Sequence, residues 1–308
     1  MNDATAVTLG PLKLRNPVLA ASGTYGSGIE AVPFADLSRV GGVVSKSVTT
    51  EPRRGNKTPR IFEVEAGMLN SIGLMNPGAA EFEREVLPEM LRLPCARILN
   101  VAGESIEDFA VLTRRFGSTE GLDAIELNVS CPNVSGGLDF GTRAPELKTL
   151  VAACRAATAK PLIVKLTPNV TDITELARAA IEGGADILSL VNTYQGLAVD
   201  WRRRRPELGS PSGMGGLSGP AIKPLALAAV QRVWRALRCP IIGIGGISSA
   251  TDVLEFLVAG ASAVQVGTAN FADPAALVRI ADELSQLQRA ESLPPLWELT
   301  GTLEVPRP

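Results

Sequence analysis

Residues 123–130 read DAIELNVS and run directly into CPNV at 131–134. An apolar, partly β-branched run that closes on Asn, Ser, Cys, Pro and Asn has the composition of a buried strand whose end opens onto a site. A helix would be capped differently, and a plain turn has no use for the thiol.

The same pattern recurs along the chain in both directions. Strand candidates are NPVLAA at 16–21, GGVVSKS at 41–47, ARILNV at 96–101, PLIVKL at 161–166, ADILSLVN at 185–192, PIIGIGG at 240–246 and SAVQVGT at 262–268, which with 123–130 makes eight. Between most of them lie stretches with helical period, such as AAEFEREVLPEMLRL, SIEDFAVLTRRF, APELKTLVAACRAAT, DITELARAAIEGG, AIKPLALAAVQRVWRAL and TDVLEFLVAG. Their Leu, Val and Ala return every three to four residues. Eight βα units in 308 residues, against roughly 250 for the bare fold, predict an α/β protein: one (β/α)8 TIM barrel domain over 1–308 with loops and hairpins inserted at its C-terminal face. A doubly wound sheet competes, but no G-x-G-x-x-G follows the first strand.

Composition removes several chemistries. The chain has no His, which excludes Ser-His-Asp hydrolysis and His-ligated zinc or haem. Its cysteines at 95, 131, 154 and 239 form no C-x-x-C pair, so no iron–sulfur or Cys-rich zinc site is expected, and no metal site at all. Cys95, Cys154 and Cys239 read as small buried hydrophobes. A net charge of −2 gives no preference for nucleic acid. Neither a signal segment nor an apolar run near the ~20 residues of a membrane span is present, so a soluble, cytoplasmic protein with reduced thiols is expected.

In a barrel of this kind, sites gather at the C-terminal strand ends. Those ends carry Ser22, Lys46, Asn100, Asn128, Lys165, Asn192, Gly245 and Gly267. Any one could be a solvated terminus; a whole ring of them marks a site, and two lysines on buried strands call for an anionic ligand. The breaks GIGGISS at 243–249 and QVGTANF at 265–271 close the last two strands and open helices with free N–H groups, a phosphate cradle in which Gly245, Gly246 and Gly267 permit close approach and Thr268 adds a hydroxyl. GGLSGP at 215–220 adds a third glycine-rich approach.

Taken together, NVSCPNV at 128–134, LNSIGLMN at 69–76, VNTYQGLAVD at 191–200, GGLSGPAIKP at 215–224, IGIGGISSATD at 242–252 and VQVGTA at 264–269 resemble dihydroorotate dehydrogenase over nearly the whole chain. Cysteine in place of serine and the GG-x-x-FGT continuation at 136–142 resemble its soluble class 1, and most closely the class 1B catalytic subunit. The resemblance implies FMN held by Ser22, Lys46, Ser47, Asn100, Asn128, Lys165, Val191, Gly219, Gly245, Gly246, Gly267 and Thr268. It implies dihydroorotate held by Lys46, Asn70, Ser71, Ile72, Gly73, Leu74, Asn128, Asn133, Asn192 and Thr193; asparagine suits a ring with amide-like edges because it offers both donors and an acceptor. Cys131 would accept the C5 proton while the C6 hydride goes to FMN. FAD and a [2Fe-2S] cluster would sit on a partner subunit that passes electrons to NAD, in a heterotetramer built on a homodimer of this chain.

Alternatives are a fumarate-reducing class 1A enzyme, a dihydrouridine synthase-like FMN barrel, or an aldolase or isomerase barrel using Lys165 for a Schiff base. A purely binding barrel would leave the thiol and lysines unexplained. Three local expectations complete the reading. Residues 135–142, SGGLDFGT, form a lid; 54–76 fold as a small hairpin over the site; and Arg202 to Arg205 read as a solvated face, with an acidic partner or anionic substrate as the other possibility.

Overall fold

Eight short parallel strands close on one another in chain order: β1 (Val18–Ala20), β2 (Gly42–Val44), β3 (Ala96–Val101), β4 (Ala124–Asn128), β5 (Leu162–Lys165), β6 (Ile187–Leu190), β7 (Ile241–Ile244) and β8 (Ala263–Val266). The ring is completed where β8 returns to β1, with Gln265 opposite Leu19. The computed structural model describes residues 4–130 and 140–305, and these form the predicted (β/α)8 barrel. Each of the eight sequence candidates contains one of the strands. They read as apolar runs rather than alternating ones because a parallel strand in a barrel is buried on both faces, and β1, β2, β5, β6, β7 and β8 are buried at every residue.

The surrounding helices follow the predicted stretches: α1 (Ile106–Gly117), α2 (Ala144–Ala157), α3 (Ile173–Glu182), α4 (Lys223–Leu237) and α5 (Ala250–Ala259). Helices α1 and α5 begin with full capping boxes, Ser105 with Asp108 and Ser249 with Asp252, which satisfy two orphan N–H groups each. Gly243 of β7 lacks the side chain that would collide with Phe256 of α5, whose Cδ1 lies 2.3 Å from where a Cβ would stand. Phe256 is thereby fully buried against the strand, and truncation there would cost about 3–5 kcal/mol. A further helix, α6 (Ala276–Ala290), buries Leu277, Ile280 and Leu284 and was not among the helical stretches named above.

Two additions close the barrel's ends. The hairpin of Val7–Leu9 and Leu12–Leu14 places Gly10 beside the Asp186 carbonyl and Pro240, just before β6 and β7, and so caps the N-terminal mouth. Over the opposite mouth lies a four-stranded antiparallel sheet in the order Tyr194–Gly196, Gly215–Ser218, Gly67–Asn70, Ile61–Val64. Its last two strands are the hairpin expected within 54–76; the first two come from the excursion after β6.

Candidate active site

The C-terminal strand ends and the overlying sheet enclose a cavity of about 1510 Å³. Ser22, Lys46, Ser47, Asn128, Lys165, Val191, Gly219, Gly245, Gly246, Gly267 and Thr268 line it, as do Asn70, Ser71, Ile72, Gly73, Leu74, Asn192 and Thr193. Cys131 and Asn133 lie outside the described residues, as does most of the 135–142 segment. Of that segment's end, Phe140 is buried edge-to-face against Phe109 of α1, with centroids 6.5 Å apart, and Gly141 and Thr142 reach the cavity wall.

The floor is tied together across alternate strands. Asn128 Nδ2 donates to Ser47 Oγ at 3.3 Å, and Asn192 Nδ2 donates to Asn128 Oδ1 at 3.3 Å, linking the ends of β2, β4 and β6. Lys165, only 6% exposed, stands opposite Asn128 on one side and Ser189 on the other. Lysine ion pairs among the described residues involve Lys148 and Lys223, leaving Lys46 and Lys165 without a carboxylate. Burial pushes the Lys46 ammonium below the ordinary lysine range, and the nearby charge of Lys165 pushes it further. Two ammonium groups facing one cavity, one of them buried, favour an anion between them.

The phosphate cradle differs in detail from the expectation of free helix donors. Asp252 accepts the N–H groups of Ser248 and Ser249 at 2.8 and 2.9 Å together with the Lys223 ammonium at 2.6 Å. Burial works against that carboxylate, but Lys223 and the serine donors outweigh it and hold it below the usual range. The first donors of α5 are thus consumed, and the N–H groups without a partner among the described residues are those of Gly246 and Ile247 after β7 and of Thr268 and Ala269 after β8. Gly246 adopts φ +73°, and a Cβ there would lie 2.9 Å from Lys223 N and 3.0 Å from Gly219 O, so only glycine lets these loops meet. Thr268 Oγ1 donates to Ser218 Oγ at 2.8 Å, joining the cradle to the overlying sheet.

On that sheet, Asn70 Nδ2 donates to Gly216 O at 3.1 Å and Ser71 N–H to Arg60 O at 2.7 Å. Ser71 N–H is therefore spent, and the donors left for a carboxylate are Ile72, Gly73 and Leu74, where Gly73 (φ +73°) and Leu74 (φ +56°) curl the backbone into an anion-binding nest.

Asn100 is the described candidate that does not reach the cavity wall. Its side chain turns into the barrel, where Nδ2 donates to Glu126 Oε1 at 2.7 Å, and its Oδ1 is buried without a partner among the described residues. Glu126, Ser189 and Gln265 lie beside it, all fully buried. These three are hard to find from sequence because a single polar residue inside an apolar run carries no sign of which face it takes; the regular inward alternation along β4 from Asn128 back to Glu126 is the available signal.

Residues 4–287 match the family model for dihydroorotate dehydrogenase. The chain belongs to the dihydroorotate dehydrogenase family. It is 50% identical over 305 residues, 99% of this chain and 100% of the relative, to "Dihydroorotate dehydrogenase B (NAD(+)), catalytic subunit" of Trichlorobacter lovleyi. It is 48% identical over 296 residues, 96% of each chain, to the protein of the same name from Carboxydothermus hydrogenoformans. A relative from Solibacter usitatus, 49% identical over 305 residues and covering 99% of this chain and all of its own, carries a provisional name of the fumarate-linked A type. The fold matches that of a dihydroorotate dehydrogenase from Eimeria tenella solved with ferulenol, at a TM-score of 0.79 over 98% of this chain and 89% of that one, with 24% identity.

Dihydroorotate dehydrogenases are oxidoreductases of pyrimidine synthesis and are in general FMN-dependent. The cavity fits such a group: among the described residues, part-buried Lys46 and buried Lys165 have no ion-pair partner, Ser130 Oγ on the cavity wall is buried without a partner, and a glycine cradle presents unpaired N–H groups. Among the described residues there is no cluster able to hold a metal and no helix long and apolar enough to cross a membrane. Burial pushes the thiols of Cys95, Cys154 and Cys239 up to about 11, which leaves them inert packing groups. Arg202 to Arg205 are exposed; Arg202 stacks over Trp201 at 4.4 Å and Arg203 pairs with Asp200 at 3.4 Å, a solvated turn.

Proposed function

We propose that this chain is the catalytic subunit of an NAD-linked dihydroorotate dehydrogenase, oxidising dihydroorotate to orotate. The observation that carries the proposal is the pair of lysines, Lys46 part-buried and Lys165 buried, facing one amide-lined cavity with no ion-pair contact to a carboxylate among the described residues.

FMN, when bound, supplies the acceptor for the hydride. Gly246, Ile247, Thr268 and Ala269 hold its phosphate through their N–H groups. Lys165 favours the electron-rich reduced ring by its fixed charge. Asn70, Asn128 and Asn192, with Thr193, orient the amide edges of the substrate, and the nest at 72–74 with Lys46 takes its carboxylate. Cys131, outside the described residues, is the base that takes the C5 proton, and Asn133, also outside them, joins the amides that bind the substrate. Electrons leave through a partner carrying FAD and a [2Fe-2S] cluster, in a cytoplasmic heterotetramer built on a homodimer of this chain.

The test is spectroscopic. Purified protein should be yellow, and anaerobic dihydroorotate should bleach it. Cys131→Ala should keep the flavin and lose most of the bleaching, with Cys131→Ser recovering a little at high pH. A colourless protein, or bleaching at the wild-type rate in Cys131→Ala, overturns the cofactor or the base assignment respectively. Turnover of the isolated chain with fumarate would move it to the A type.

A further inference from the structure

Beneath the cavity floor the barrel is closed by a polar layer instead of an apolar one. Glu126 of β4 is fully buried and accepts three hydrogen bonds: from Asn100 Nδ2 at 2.7 Å, Ser189 Oγ at 2.9 Å and Gln265 Nε2 at 2.7 Å. Glu126, Ser189 and Gln265 come from β4, β6 and β8, the alternate-strand stacking of a barrel interior. All three partners donate, the arrangement that suits a carboxylate, and of the three only the Ser189 hydroxyl is also able to accept.

The layer's depth follows from register. Asn128, two residues beyond Glu126 on the same strand, lines the cavity, while Glu126, Ser189, Gln265 and Asn100 do not. Lys165 is in register with both Asn128 and Ser189. Ser189 therefore stands level with the buried lysine while its hydroxyl reaches down to the carboxylate. Holding the two amide nitrogens on Glu126 also turns Asn100 Oδ1 and Gln265 Oε1 away from it, and both oxygens are buried without a partner among the described residues.

A buried ion in a barrel core is costly, and stability alone does not explain it, since an apolar layer of the same volume does as well or better. We infer that Glu126 is a positioning residue that sets the electron affinity of the bound flavin, both by a fixed negative charge one layer beneath Lys165 and by fixing the Asn100 amide with its oxygen free. This rests on the flavin reading above. Lys165 draws electron density onto the ring; Glu126 opposes it, so the balance of the two buried charges places the equilibrium between oxidised and reduced protein.

The experiment is anaerobic photoreduction of the flavin-loaded protein against a reference dye, which reads the reduction equilibrium without substrate or turnover. Glu126→Gln removes the charge at nearly constant volume. It should shift the equilibrium toward the reduced form by at least tenfold, about 30 mV for a two-electron couple. The exchange Glu126→Gln with Gln265→Glu keeps the charge and the donor-to-acceptor complement in the same layer, and should return the equilibrium to within threefold of wild type. Should Glu126→Gln alone fail to fold, Glu126→Leu with Ser189→Ala and Gln265→Leu replaces the buried ion by apolar packing and should show the same tenfold shift. A folded, yellow charge-removed variant within threefold of wild type overturns the inference, as does an exchange variant that stays where Glu126→Gln left it. Colourless wild-type protein would instead overturn the flavin reading itself.

Discussion

Replacing Gly246 by alanine tests the phosphate cradle through backbone geometry alone. The residue sits at φ +73°, where an L side chain costs about 1–2 kcal/mol. The new Cβ would also lie 2.7 Å from Lys223 Cβ, 2.9 Å from Lys223 N and 3.0 Å from Gly219 O. Two of these contacts are backbone and cannot swing aside, so repacking adds roughly 1–3 kcal/mol. The sum is about 2–5 kcal/mol. At roughly 2 °C per kcal/mol for a chain of this size, flavin-free protein should melt about 4–10 °C lower. Because the displaced loops carry the unpaired N–H groups of Gly246, Ile247 and Thr268, the variant should also retain less flavin through gel filtration. Gly267→Ala is the control: its Cβ would meet Thr24 Cγ2 at 3.5 Å and Ala21 Cβ at 3.6 Å, ordinary contacts at an unstrained φ, so its flavin-free melting point should stay within about 1 °C. A Gly246→Ala protein that melts with wild type, or a Gly267→Ala protein that falls as far, refutes the geometric reasoning.

Orotate affinity should fall as pH rises through the lowered pKa of Lys46, since the charged form exists only below it, and the fall should begin well before an ordinary lysine near 10.5 would deprotonate. Losing that charge should weaken binding by about 10–100-fold, and Lys46→Arg should flatten the profile; flavin absorbance titrated with orotate between pH 7 and 10 reads both, and a flat wild-type profile counts against the assignment. Ser249→Ala removes the hydroxyl half of the α5 capping box and should cost about 1 kcal/mol, read as a small drop in melting temperature with flavin content unchanged. Arg203→Ala breaks an exposed pair and should change stability by less than about 0.5 kcal/mol and leave turnover alone; a large loss of turnover would give the arginine turn a functional role.

The legible parts of this protein are those whose signal is local. DAIELNVS announces a strand because a buried parallel strand is apolar along most of its length, Glu126 being the exception here, and Asn128 marks its end because polarity returns where the strand meets the cavity. The hairpin at 61–70 was visible from its alternation. Asn100 was harder: it is a polar residue near the end of a strand, the same description that fits Asn128, yet it turns inward to Glu126 while Asn128 faces the cavity. The α5 N-terminus misled in a different way, because the sequence shows a helix start with free donors and does not show that Asp252, three residues into it, takes the N–H groups of Ser248 and Ser249.

Local periodicity and strand-end chemistry were sufficient to determine eight βα units, the ring of polar ends and the glycine-rich breaks, because each depends on residues within a few positions of one another. Only the tertiary structure decided that 61–70, 194–196 and 215–218 join into one sheet over the mouth, and that Glu126 gathers donors from β3, β6 and β8. Those partners lie between 26 and 139 residues from Glu126 in sequence. Pairings at such distances leave no periodic trace; they exist because closure of the barrel brings the strands together, and a buried polar atom then binds whatever donor the closed ring places beside it.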